Sequence, residues 1–120
     1  VSSKDEYMLR VTPFNTPNIK QNIIDPLFES AAKAAGKYAA GVLLSGFGTD
    51  GAVGIRQLHA AGAPTFGQNH DTSLAYELVE KSKMITGSIQ EVPVQELGRL
   101  IQNSLREQLC PIPLENGNIV

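Results

Sequence analysis

The segment from Ala39 to Gly62 limits the fold more than any other part of the chain. Small and apolar residues run without a charge through Ala39-Ala40-Gly41-Val42-Leu43-Leu44-Ser45. A glycine-rich loop, Gly46 to Gly51, follows, and then apolar residues recur at Val53, Ile55, Leu58 and Ala61 before Gly62. A short continuous apolar run is the pattern of a strand buried on both faces, the position strands take in a parallel sheet. The spacing after the loop is that of a helix with one buried side, and Gly62 is its stop signal. Strand, loop and helix in this order form half of a βαβ unit, and the loop leaves the strand at its carboxyl end, where α/β sheets gather ligands and chemistry.

The same theme recurs on both sides. Tyr7-Met8-Leu9-Arg10-Val11 reads as a strand, followed by a loop rich in Pro, Asn and Thr from Thr12 to Asn22. Leu27, Phe28, Ala31, Ala32 and Ala35 then predict a helix, with Asp25 as its N-cap, Pro26 at the first helical position and Gly36 as its stop. Ala63 to Gln68 is expected to form a further strand, with a helix from the caps Asp71-Thr72-Ser73 to about Ser82. A strand at Met84 to Ile89 and a last helix from about Val94 to Leu109 complete the series. Strands separated by helices pair in parallel through right-handed crossovers. The expectation is an α/β domain over residues 1–110, with three to four strands and helices on both faces, and an irregular tail over 111–120.

Composition narrows the function. The 120 residues allow one domain, and ten Lys and Arg against twelve Asp and Glu leave a net charge of −2. No basic run exceeds two neighbouring cations, so neither nucleic acid nor an anionic membrane surface is an expected partner. The longest uncharged run, Tyr38 to Thr49, is too short and too glycine-rich to span a bilayer, and the chain begins without a signal-peptide pattern. A cytoplasmic protein without membrane insertion is expected. The single cysteine, Cys110, excludes an internal disulfide and a cysteine zinc cage within one chain. Cys110 reads as a packing residue, and neither a metal nor another cofactor is expected.

Two chemistries compete for the glycine loop. Residues 46–51 satisfy G-x-G-x-x-G, and Asp71 follows about 20 residues later, as in dinucleotide-binding folds. Against this, Asp50 would sit in a loop that must wrap a pyrophosphate, where a carboxylate opposes the attraction of the helix terminus for anions. An aspartate fixed at a strand end can instead accept a hydrogen bond from a histidine and stabilise its cationic form, the part played by the acid of a Ser-His-Asp triad.

With Ile24-Asp25-Pro26-Leu27-Phe28-Glu29-Ser30-Ala31-Ala32, Gly41 to Gly54 and Ala61-Gly62-Ala63-Pro64-Thr65-Phe66-Gly67-Gln68-Asn69 in view, the sequence resembles the catalytic domain of the CheB-type chemotaxis protein-glutamate methylesterase family. The resemblance spans about residues 5–105. It implies a doubly wound, Rossmann-like parallel sheet and a serine hydrolase mechanism. The implied substrates are receptor glutamate methyl esters, with receptor glutamine deamidation in some members, and the implied partners are methyl-accepting chemoreceptors or other signalling proteins.

By the same resemblance Asp50 falls on the triad acid. Gly46, Phe47, Gly48, Thr49 and Gly51 fall on the active-site loop, with Phe47 where the family usually has methionine. Glu77-Leu78-Val79 stands where a Gly-Met-Pro segment usually begins the next helix. The chain corresponds to the second half of the family domain, so the nucleophilic serine and catalytic histidine are expected outside it. Ser45 reads as structural. His59 reads as a helix-end group, and His70 is the histidine better placed for the crevice. The expected function is therefore that of a methylesterase domain inactive by itself. The alternatives are an interaction module that dimerises through an exposed sheet edge and, less favoured, a dinucleotide-binding module.

Overall fold

A computed structural model describes residues 7–11, 13, 22–87, 89–109, 114–115 and 118–119. Helix α1 (Ile24–Ala35) leads through a 3-10 turn at Gly36–Tyr38 to strand β1 (Gly41–Leu43) and helix α2 (Ala52–Ala60). Strand β2 (Thr65–Gln68), a 3-10 turn at His70–Thr72, helix α3 (Glu77–Thr86), strand β3 (Gln90–Val92) and helix α4 (Val94–Leu109) complete the α/β layer. The three strands form one parallel sheet in the order β1-β2-β3, with Val42 opposite Phe66 and Phe66 opposite Gln90.

The central strand explains the layering. All four residues of β2 are buried, which is what a strand covered by helices on both faces requires. On one face Leu43, Ile55, Leu78, Val79 and Ile89 form a core with Ile24, Phe28 and Tyr76 against it. On the other, Phe66, Val92 and Leu97 pack with Val42, Leu100 and Ile101. Thus α2 and α3 cover one side and α4 the other, as expected for the α/β class.

Helix α1 lies against α2 at a contact that admits no side chain. A Cβ on Gly54 would stand 2.6 Å from the Phe28 Cβ and 3.0 Å from the Asp25 carbonyl oxygen. Backbone-to-backbone approach of this kind is a regular use of glycine.

Five local expectations are corrected. Tyr7–Val11 forms an isolated bridge at Tyr7 and no strand. Leu9 and Val11 are 95% and 93% exposed, so their apolar side chains have no face to bury. Asp25 lies inside the first turn of α1 while Ile23 occupies the N-cap position, because the Asp25 side chain is engaged with another helix. Asp71-Thr72-Ser73 does not start a helix. Asn69 caps a 3-10 turn there by accepting the Thr72 N–H, and α3 begins at Glu77.

Met84 and Ile85 belong to α3, which runs on to Thr86 because Leu78, Val79 and Ser82 keep one buried face and Gly87, at φ +78°, ends it. The strand therefore falls at Gln90–Val92, where pairing with β2 sets its register. In the tail, Leu114–Glu115 pairs antiparallel with Asn118–Ile119. The loop over 14–21 and Cys110 lie outside the described residues.

The α1–α2 contact is directly testable. Gly54→Ala improves helix propensity, yet it drives a methyl group into Phe28 and the α1 backbone. The expected net effect is a loss of about 1–3 kcal/mol in denaturant unfolding; a gain in stability would mean that α1 does not approach α2 this closely.

Candidate active-site loop

The loop after β1 is shaped by hydrogen bonds to the segments around it. Ser45 Oγ accepts the Ala75 N–H at 2.8 Å, and the Ser45 N–H donates to Gln68 Oε1 at 2.8 Å. The Gly46 N–H donates to the Ala75 carbonyl at 2.9 Å, and the Leu78 N–H donates to the Gly46 carbonyl at 3.0 Å. Gly48, at φ +82°, donates its N–H to Glu77 Oε2 at 2.9 Å, and the Thr49 carbonyl accepts the Ala52 N–H. Phe47, at the outermost point of the loop, is 81% exposed.

Asp50 sits half-buried at the end of this loop, with its carboxylate at the start of α1. Ile23 N–H donates to Oδ2 at 2.7 Å, Ile24 N–H to Oδ2 at 2.9 Å and Oδ1 at 3.1 Å, and Asp25 N–H to Oδ1 at 3.0 Å. The first N–H groups of a helix have no partner within it and carry the positive end of the helix dipole, so a carboxylate is the group they favour. Burial pushes the Asp50 carboxyl up, but hydrogen bonds from Ile24, Ile23 and Asp25 outweigh it and hold the group below its ordinary value. Asp50 is thus an anion. The three N–H donors make four contacts, two on each oxygen, so the start of α1 engages both oxygens of the carboxylate.

The reverse contact is also present. Asp25, buried at 6% exposure, accepts the N–H groups of Gly51 at 3.0 Å and Gly54 at 2.8 Å on Oδ1. The sequence reading missed this use of Asp25. An acid that serves glycines 26 and 29 residues further on leaves no mark in local periodicity.

The two histidines are not brought to Asp50's hydrogen-bonding oxygens, which face α1. The His70 ring stands edge-on to Tyr76 at 5.3 Å, and its Nδ1 lies 3.7 Å from Asp71 Oδ1. His59 lies exposed in the last turn of α2. Near His70, Tyr76 donates its phenolic hydrogen to Glu91 Oε1, and Lys83 Nζ donates to Glu91 Oε2 at 2.6 Å. The Glu91 hydrogen bond, aided by burial and by the charges of Glu91 and Glu80, pushes the Tyr76 phenol up to about 12. Glu91 itself is raised by burial but held down overall by Lys83, Tyr76 and His70.

This geometry runs against an anionic ligand on the glycine loop. The N–H groups of Gly48 and Gly51, which a pyrophosphate would use, already serve the carboxylates of Glu77 and Asp25. What fold and loop define is an α/β domain that presents a fixed anionic aspartate at the carboxyl end of a parallel strand. Residues 3–101 match the CheB methylesterase family, and the chain belongs to that family.

It is 38% identical over 78 residues to the protein-glutamate methylesterase/protein-glutamine glutaminase 1 of Rhizobium johnstonii, covering 65% of this chain and 22% of that protein. The corresponding protein of Nitrosomonas europaea is 35% identical over 96 residues, 79% of this chain and 26% of its own length. The second such protein of Xanthomonas campestris pv. campestris is 32% identical over 101 residues, 84% of this chain and 29% of its own length. The chain therefore spans about a quarter of the length of these relatives. Among the described residues, no helix is long and apolar enough to cross a membrane.

Asp50's depressed carboxyl has a pH signature. A group that is more acidic folded than unfolded binds fewer protons in the native state. Its contribution to stability is complete above the unfolded value near 3.8 and is lost as pH falls through the lower folded value. Asp50→Asn is expected to flatten the acid limb of a plot of urea midpoint against pH, leaving the part due to Glu77 and Glu91, which are depressed in the same sense. An unchanged acid limb would mean that Asp50 does not rest on the α1 N–H groups.

Proposed function

We propose that this chain carries the acid of a Ser-His-Asp centre that hydrolyses methyl esters of protein glutamate side chains, with Asp50 as that acid. The observation that carries this reading is the Asp50 carboxylate at a strand end, held as an anion by the N–H groups of Ile23, Ile24 and Asp25. Family membership and the names of the relatives, which pair methylesterase with glutaminase activity, support the substrate class of glutamate esters and glutamine amides. Methyl-accepting chemoreceptors are the proposed protein substrates.

In such a centre the histidine donates its Nδ1–H to Asp50 and takes the proton of a serine hydroxyl through Nε2. The serine oxygen forms a bond to the ester carbonyl carbon, the carbon–methoxy bond breaks, and the histidine returns the proton to release methanol. Water repeats the sequence on the acyl-serine and yields the glutamate carboxyl. Asp50 stabilises the imidazolium at both stages, a role that requires the charge its N–H partners maintain.

Ser45 is engaged with Ala75, and His70 with Tyr76 and Asp71. The serine and histidine are therefore proposed to come from the part of the family domain that precedes this segment, and the segment alone is proposed to be inactive. A second reading, dimerisation, is supported by β1, which pairs within the described sheet on one side only. A concentration-dependent shift in sedimentation would favour it.

The test of the first reading combines this chain with a nucleophile-bearing half-domain and measures methanol release from methylated receptor. Asp50→Asn, shown to be folded by circular dichroism, is expected to lower turnover by up to about 10⁴-fold, as for the acid of serine-protease triads. Turnover unaffected by Asp50→Asn would remove Asp50 from the centre.

A further inference from the structure

Asp50 is not held by its own loop alone. Gly51, the next residue, occupies the N-cap position of α2 at φ +110° and brings no capping side chain. A Cβ there would lie 3.0 Å from both Ile24 Cγ2 and Leu43 Cδ2, so a side chain at that position would be strained and crowded. The start of α2 receives its acceptor from across the α1–α2 contact instead. Asp25 Oδ1 takes the N–H groups of Gly51 and Gly54, and Asp25 Oδ2 takes Asn22 Nδ2–H at 3.1 Å.

Asp25 therefore fixes the backbone on the C-terminal side of Asp50, and its own N–H reaches Asp50 Oδ1 at 3.0 Å. Asp25 thus gives its backbone N–H to one carboxylate while its own carboxylate takes the N–H groups of the segment that follows Asp50.

We propose that Asp25 is a positioning residue for Asp50: by holding Gly51 and Gly54 it sets the loop path on which both Asp50 oxygens meet the α1 N–H groups. Its catalytic meaning rests on the reading of Asp50 as the triad acid; the coupling of the two carboxylates does not. Losing the loop path strips Asp50 of its N–H donors and raises its pKa, whereas a variant that keeps the path leaves those donors in place.

The experiment is a carbon-detected NMR titration of the Asp50 carboxyl in this chain, in the wild type, Asp25→Asn and Asp25→Ala. An asparagine keeps an acceptor oxygen for Gly51 and Gly54, so Asp25→Asn is expected to hold Asp50 at its wild-type value. Asp25→Ala is expected to move Asp50 up to about its ordinary 3.8. If Asp25→Ala does not fold, Asp25→Ser, which keeps one short acceptor, makes the same comparison with a smaller rise.

A fall or no change in the alanine or serine variant while it remains folded would overturn the proposal and leave Asp25 as a cap for α2 only. A rise in Asp25→Asn equal to that in Asp25→Ala would overturn it as well. Failure of the triad reading shows elsewhere, as methanol release indifferent to Asp50→Asn, and leaves the titration result to stand or fall by itself.

Discussion

Helices α1 and α2 each begin with N–H groups that no residue of their own cap satisfies. Ile23 and Gly51 occupy the two N-cap positions, and neither makes a capping side-chain bond. The donors are satisfied by exchange, with Asp50 from the loop before α2 serving α1, and Asp25 from the first turn of α1 serving α2. A local Ser, Thr, Asp or Asn cap would stabilise each helix independently. The crossed arrangement makes the two helix starts, the α1–α2 contact at Gly54 and the charge of Asp50 depend on one another, because losing one carboxylate loosens the backbone that carries the other.

The sheet sets where this lock stands. Parallel pairing of β1 with β2 puts the ends of both strands at one edge, and β2 finishes in Gln68, a buried polar residue. Gln68 is satisfied there. It accepts the Ser45 N–H through Oε1 and donates Nε2–H to the Thr72 carbonyl at 2.5 Å, so one side chain joins the loops after β1 and β2. Glu77 adds a further tie, from the first residue of α3 to Gly48. Glu77 thus serves as the acceptor for the N–H of Gly48 in the glycine loop. The loop is thereby constrained at Ser45, Gly46, Gly48 and Gly51, while Phe47 stays open to solvent.

What could be read from the sequence follows the range of the forces involved. The β1 strand, the loop, α2 and α4 were legible because apolar spacing and glycine stops are local signals, and Asp50 stood out as an acid at a strand end. The end of α3 was misread because Met84, Ile85 and Ile89 resemble a strand by composition, whereas the buried face set by Leu78, Val79 and Ser82 continues the helix to Thr86. Tyr7–Val11 has strand composition but no buried face to occupy. The partner of Asp25, the Gln68 bridge and the Tyr76–Glu91–Lys83 chain were invisible in the same way: each joins side chains and backbone brought together by the packed sheet and helices. Asp25 was even placed correctly near a helix start, but assigned to the wrong helix.

The exchanged carboxylates make the two helix starts one cooperative unit through Asp25 and Asp50. Amide hydrogen exchange at Ile24 and Gly54 tests it most directly, since one N–H rests on Asp50 and the other on Asp25. Both are expected to open with the same free energy in the wild type, and Asp50→Ala is expected to lower the protection of Gly54, whose N–H rests on Asp25. Full protection of Gly54 in that variant, with Ile24 alone exposed, would show two independent caps and no cooperative unit.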